Sequence, residues 1–234
     1  MITRKTDNIS AKDFSLGEVI LIDKNSGQSS FYAVKKIRGI TRVKKVGHAG
    51  TLDPNATGLL IICTGKMTKE IYKYQDAVKK YSGTITLGKR TESMDSESDV
   101  IEEKDFSYVT GEMLKETANK FLGKIEQVPP MYSALKYKGK SLYKYARKGI
   151  EVERKPRSVE VFGFNIISFN PPEATFDLTC SKGTYVRVIA DDLGRELGCG
   201  AYLSSLRREK IGEYFVDDSL TVEEFEKLYK TGSI

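Results

Sequence analysis

The sequence predicts a mixed α+β fold whose strands need not be parallel. Three observations carry that prediction. Short apolar runs of strand character alternate irregularly with segments of helical period. No internal repeat and no linker splits the chain. Its 234 residues, 39% of them hydrophobic, can bury a core, and a charged fraction of 30% suits a globular chain rather than a disordered one.

Residues 1–14 are polar and read as a short N-terminal extension of one domain covering 15–234. Residues 17–23 (GEVILID) read as a buried strand. Ser29 or Ser30 can cap a helix reaching about Gly39, with Val34, Ile37 and Ile40 on one face. Residues 46–58, with three glycines and a proline, read as a loop. The all-apolar run 59–63 is a strand, 68–75 a helix, and 81–87 (YSGTITL) alternates as a strand does. Residues 89–105 are polar and acidic and read as a surface loop. Thr110 caps a helix to Leu122. Residues 157–169 and 175–180 pair as strands across a turn at Asn170-Pro171-Pro172. Thr184 opens a helix through Leu197, with Val188, Ala190, Leu193 and Leu197 as its buried side, and 201–213 is strand material. Thr221 and Glu224 form a capping box for a last helix.

Composition narrows the function. No run of about 18 apolar residues occurs, so a membrane span is not expected. The N-terminus lacks the apolar stretch of a secretion signal, which points to the cytoplasm. Cys63, Cys180 and Cys199 are too few for a disulfide scaffold and lie among apolar or small residues, as reduced thiols do. A single histidine and the lack of a CxxC pair argue against a zinc site, and no metal is expected.

The formal net charge of +6 is unevenly placed. Residues 24–52 hold seven Lys/Arg and no acid, and residues 127–157 hold nine Lys/Arg and two acids. Each segment is therefore +7, on a remainder of −8. The second segment also carries Tyr132, Tyr137, Tyr143 and Tyr145. Cations interleaved with aromatics suit a polyanion whose bases can stack, which is nucleic acid. A solvated helix face and a polar loop would give the same counts.

The sharpest local feature is 47–58 (GHAGTLDPNATG). Glycines allow a ligand to approach the backbone, Pro54 stiffens the chain after Asp53, and an apolar strand follows at once. A carboxylate on a rigid loop at the end of a buried strand is well placed for catalysis. Asp53 could equally close an Asx-turn before the proline, and His48 alone is most simply a hydrogen-bonded structural residue.

The stretch GHAGTLDPNATGLLIICTGKMTK, beginning at Gly47, resembles the catalytic motif of the TruB-type tRNA pseudouridine synthases. Other blocks agree, in the family's order. DKNSGQSS at 23–30 resembles its lysine-glycine-serine motif, and YSGTITLG at 81–88 its tyrosine-strand motif. QVPPMYSALKYKGKSLYKYARKGIEVERKPR at 127–157 resembles the RNA-gripping insertion called the thumb. CSKGTYVRVIADDLG at 180–194 and Leu206-Arg207-Arg208 resemble the arginine and leucine motifs.

The resemblance implies the pseudouridine synthase fold, a mixed and largely antiparallel sheet flanked by helices. It implies isomerisation of a uridine in the T loop of tRNA, at position 55, with no metal and no organic cofactor. Carried over, Asp53 matches the essential aspartate, Tyr81 the tyrosine stacked on the base, and Arg187 the arginine that pairs with the aspartate. Leu206 matches an apolar wall of the uracil pocket, and His48 a histidine that holds the opened T loop. Lys24, Gly50, Thr51 and Tyr185 are expected at the substrate, and Lys136, Lys138, Lys140 and Arg147 on the RNA-gripping thumb. The partner implied is the tRNA T stem-loop, bound by a monomer. Read singly, Tyr81 and Leu206 would be core residues, and Arg187 the donor of a surface ion pair.

The chain departs from the family pattern in places. It ends soon after Leu206-Arg207-Arg208, so the small β-rich C-terminal RNA-binding domain of many members is expected to be missing. The stretch 91–98 (TESMDSES) keeps the family's threonine and aspartate but not its second threonine and glycine, and Asn25 and Ser29 replace a more usual proline and threonine. Two rival readings remain open: a tRNA-binding and tRNA-folding module without catalysis, and an RNA enzyme that removes the base.

Overall fold

The computed structural model describes residues 1–232. In chain order its strands and helices are β1 (Val19–Lys24), α1 (Ser30–Thr41), β2 (Val46–His48), β3 (Thr57–Thr64), α2 (Ile71–Asp76), β4 (Lys79–Leu87), β5 (Lys89–Thr91), β6 (Val100–Glu103) and α3 (Gly111–Asn119). There follow β7 (Gly123–Gln127), β8 (Lys136–Tyr137), β9 (Lys140–Ser141), α4 (Leu142–Ala146), β10 (Arg157–Asn170), β11 (Glu173–Cys180), α5 (Val186–Glu196), β12 (Ala201–Ile211), β13 (Tyr214–Phe215) and α6 (Val222–Thr231). The chain divides into two compact units, Met1–Tyr81 with Arg207–Ile234, and Ser82–Leu206.

In the first unit β3 is flanked by β1, antiparallel with Asp23 opposite Leu59, and by the end of β12, parallel with Arg208 opposite Gly58. The β3 run Leu59–Cys63 is apolar at every position because both faces are covered. Ile20, Ile22, Leu60 and Ile62 join one buried cluster with residues of α1 and α6, while Val19, Leu21, Leu59 and Ile61 join another with Ile211 and Val216. Ser29 is the N-cap of α1, its hydroxyl accepting from Tyr32 N, and Thr221 with Glu224 makes the capping box expected for α6.

In the second unit the order is β4-β11-β10-β7, with the start of β12 beside β4. Strand β10 pairs antiparallel with both β11 and β7. Helix α3 packs on β10, and Phe164 meets Phe121 and Phe176 edge to face at ring separations of 6.3 and 5.7 Å. The fold is thus mixed and mostly antiparallel, as expected.

Three segments differ from the sequence expectations. Residues 1–14, read as a polar extension, carry packed apolar side chains. Ile2, Ile9 and Phe14 are buried in the α1–α6 cluster, and Ile2 bridges Ile20. Three well-spaced apolar side chains in a polar stretch have no period to betray them. Residues 46–48 of the expected loop pair with β3 as a short strand. Residues 89–105, expected as a surface loop, form the β5–β6 hairpin, and Thr91, Ser93 and Asp95 within it are buried. Their side chains are hydrogen-bonded to one another and to Ser98, Glu97 N and Arg187, so polarity does not mean exposure. No helix among the described residues is long and apolar enough to cross a membrane.

Candidate active site

Asp53 lies in the connection between β2 and β3, in the first unit. Ala56 N donates to Asp53 O at 3.1 Å, closing a turn with Pro54 in the position that favours proline. The surrounding backbone is held from outside the loop. Ser30 Oγ accepts from Leu52 N at 2.9 Å and lies 3.0 Å from Leu52 O. Ser30, unlike the capping Ser29, therefore faces inward to fix the residue before Asp53. On the other side, Pro54 O accepts from Gly27 N and from Lys24 Nζ, each at 3.0 Å.

Lys24 departs from the picture of a phosphate-gripping lysine. It is 1% exposed, and its ammonium donates to three carbonyls, those of Asn25, Gln28 and Pro54. An ammonium so deeply buried needs such partners, and here it ties the end of β1 to the residue after Asp53. Arg208 braces the other flank, donating from Nε to Leu59 O at 2.7 Å and from Nη2 to Gly50 O at 3.2 Å. Gly58 lies between the two cations. Its φ is +101°, and a Cβ there would stand 2.4 Å from Arg208 O, so only glycine fits.

Gly50 has φ +90°, and Thr51 is exposed beside it. His48 ends β2, half-buried, with Nδ1 hydrogen-bonded to none of the described groups. Burial pushes its pKa below the ordinary 6.5 and outweighs the hydrogen bond involving the Gly50 backbone, so the ring is neutral near pH 7. Tyr81 closes the unit's share of β4 and is buried. A groove of about 530 Å³ lies near the base of β2, lined by Arg42, Lys44, Lys45, Lys66 and Lys69 with Ser15 among others. Lys66 and Lys69 join cations of the first basic segment there.

The second unit holds Arg187, Tyr185 and Leu206. Arg187 is 3% exposed on the first turn of α5. The resemblance implies a pairing with Asp53; within its own unit Arg187 also meets Asp95, Nη1 to Oδ2 at 3.1 Å, and donates from Nη2 to Tyr132 O. Asp95 is a functional candidate that its acidic, polar surroundings conceal in the sequence. Its Oδ1 accepts from Ser93 Oγ at 2.6 Å and Glu97 N at 3.0 Å. The signal that could have found it was the family aspartate retained inside TESMDSES. Tyr185 caps α5, and its ring centre lies 5.9 Å from the Arg187 guanidinium carbon. Gln127 pins the backbone there, accepting from Tyr185 N at 3.0 Å and donating to Tyr185 O at 3.2 Å. Leu206 is half-buried on β12.

The thumb residues form a separate feature of this unit. Lys136, Lys138, Lys140 and Arg147 are all exposed. Strands β8 and β9 pair around Lys138 and Gly139, both at positive φ (+46° and +81°), as a tight two-residue hairpin turn requires. Arg147 covers the Tyr143 ring at 5.0 Å and Lys138 the Tyr137 ring at 5.4 Å.

Residues 38–186 match the family model described as TruB family pseudouridylate synthase, N-terminal domain. Residues 187–233 match the tRNA pseudouridylate synthase B C-terminal domain. A tRNA pseudouridine synthase B of Marinomonas sp. (strain MWYL1) is 45% identical over 224 residues, covering 96% of this chain and 73% of that protein. The protein of the same name from Shewanella woodyi is 45% identical over 210 residues, covering 90% and 66%. The chain thus spans about two thirds to three quarters of the length of these relatives. Among solved structures, a chain of a Cbf5-Nop10-Gar1 complex superposes with TM-score 0.71 at 26% identity, over 93% of this chain and 56% of that one. With a matched model over more than half its length and close relatives along nearly all of it, the chain belongs to the TruB family of pseudouridylate synthases.

Proposed function

We propose that the protein isomerises the uridine at position 55, in the T loop of tRNA, to pseudouridine, with Asp53 as the catalytic carboxylate. The observation that carries this reading is the bracing of the Asp53 loop. Buried Lys24, Ser30 and Arg208 hold the backbone on both sides of one carboxylate, which is how a site holds a reacting group in place. Family membership supplies the reaction class.

The reaction breaks the N1–C1′ bond, turns the base and joins C5 to C1′, while the C5 proton is lost and N1 gains one. Atoms balance without an added reactant, so neither metal nor organic cofactor is called for. Breaking the glycosidic bond builds positive character at C1′, which an ionised carboxylate stabilises by attack at C1′ or by removing the 2′ proton. Tyr81 supplies the stacking face for the uracil and Leu206 an apolar wall. Arg187, tied to Asp95, supplies the guanidinium that keeps the catalytic carboxylate ionised.

The target base has to leave its stack before reaction. His48, held neutral, then packs in the opened loop with Gly50, Thr51 and Tyr185 around the nucleotide. The basic groove at Arg42 and Lys69 and the thumb cations Lys136, Lys138, Lys140 and Arg147 each hold phosphates of the RNA. The proposed setting is the cytoplasm and the acting species a monomer. The test is incubation with unmodified tRNA transcript followed by carbodiimide mapping of pseudouridine. Product at position 55 from wild type and none from Asp53→Asn is the expected result. Full activity in Asp53→Asn sinks the role of Asp53, and release of free uracil favours base removal instead.

A further inference from the structure

Helix α5 carries two buried opposite charges one turn apart, Arg187 and Asp191, 3% and 1% exposed. The β5–β6 hairpin meets each with its complement. Asp95, between the two strands, takes Arg187 Nη1 at 3.1 Å, and Arg90, in β5, donates its Nε–H to Asp191 Oδ1 at 2.8 Å. The polarity is crossed: helix cation to hairpin anion, then helix anion to hairpin cation. A slip of the hairpin by one helical turn would set like charges against each other away from water, so the two bridges together define one register.

Arg90 is itself held. Its Nη1 donates to Glu102 Oε2 on β6 at 3.1 Å. Its stem crosses Gly200, where a Cβ would stand 2.7 Å from Arg90 Cγ. The second oxygen of Asp191 faces Arg195 Nη2 at 2.7 Å. None of Arg90, Asp191 and Glu102 has a part in the chemistry proposed above, yet Asp191 is more deeply buried than Arg187.

We infer that the Arg90–Asp191 pair is a positioning device for Arg187. It sets the rotation of α5 and the depth of the hairpin so that Asp95 meets the guanidinium. The inference rests on the reading of Arg187 as a residue of the active centre.

The test uses the full chain with Asp191→Asn, Arg90→Lys, Asp95→Asn and the Asp95→Asn/Asp191→Asn double variant, each checked for folding by thermal melting. Asp191→Asn should slow single-turnover pseudouridine formation on saturating transcript by about 30-fold, since displacing a catalytic group by an ångström costs up to ~10²-fold. The transcript Kd should move by less than about 3-fold. In the Asp95→Asn background the same change should cost under about 3-fold, because groups that act as a unit are not additive. Arg90→Lys keeps the charge, loses the planar fork and stands in if Asp191→Asn does not fold; its rate should fall by about 10-fold. An unchanged rate in a folded variant, an additive double variant, or affinity lost in step with rate overturns the inference.

The Arg187 Nε–H resonance gives a readout free of activity. It should shift in Asp191→Asn and Arg90→Lys, and an unchanged resonance overturns the positioning role. Failure of wild type to form pseudouridine would sink the proposed reaction, and the resonance would still decide the positioning claim.

Discussion

The loop around Asp53 and the basic thumb are built on opposite terms. The loop is short, its backbone carbonyls are taken up by Lys24, Ser30 and Arg208, and Gly58 leaves no room for even one carbon at its exit. The thumb hairpin points its cations to solvent and anchors through a few buried groups such as Leu142 and Ser133. Its internal contacts include the short β8–β9 ladder, cation–aromatic pairs and Tyr137 against Tyr145 at 5.8 Å. The difference suits the two proposed tasks. A carboxylate that must meet a particular carbon needs its place set before substrate arrives, whereas attraction to phosphates falls off slowly with distance and tolerates an adaptable surface. Even lysines divide this way: Lys24 is a buried brace, whereas Lys136 and Lys140 are exposed, as the proposed grip on phosphates needs.

The sharpest way to break this contrast is at Asp53 itself. Asp53→Asn should lower the single-turnover rate by on the order of 10⁴-fold, the scale of losing a group that acts in the transition state. Transcript affinity should hold within a few-fold, as a filter-binding titration would show. Comparable losses of rate and affinity would mean that the loop grips as much as it reacts.

Next in size is the brace. Lys24→Met removes one ammonium and leaves three carbonyls to find other partners. Stability in urea should drop by about 3 kcal/mol, the cost of buried groups left unsatisfied, and turnover should fall with it. A loss under about 1 kcal/mol would show that the loop holds itself.

The thumb should respond in the other currency. Lys136→Glu with Lys140→Glu should weaken transcript binding by about 10-fold or more at low salt and flatten the plot of log Kd against log salt by about two phosphate contacts. The rate at saturation should not change. A slowed chemical step with affinity intact would place these lysines in the site.

The smallest effect is pH-linked. His48 is neutral in the fold, with a pKa below the ordinary 6.5. A base whose folded pKa is depressed stabilises the fold fully above its unfolded pKa and loses that contribution as pH falls toward and through the folded value. Melting temperature should therefore fall more steeply below pH 6.5 in wild type than in His48→Gln. Parallel curves would remove His48 as the cause.

Much of this molecule is legible in one dimension. The apolar run Leu59–Cys63 could only be a buried strand. Thr110 and the Thr221–Glu224 box stand where α3 and α6 begin. The joint order of motifs pointed to the family and to Asp53, Tyr81 and Arg187. Other features were hidden because their partners are remote in sequence or their pattern is sparse. Ile2, Ile9 and Phe14 cover the core from a polar stretch, and Asp95 reads as one more surface acid.

Local devices are written in the order of residues: strand and helix periods, caps, the glycine-proline loop and the two basic segments. These depend on neighbours a few residues apart, whose geometry the backbone restricts. It takes the folded chain to make Lys24 a brace, to set Ser30 on Leu52 while Ser29 caps, and to bring Arg187 onto Asp95, 92 residues away in the chain. A charge shows in the sequence, but its role depends on burial, and burial is decided by everything that folds around it.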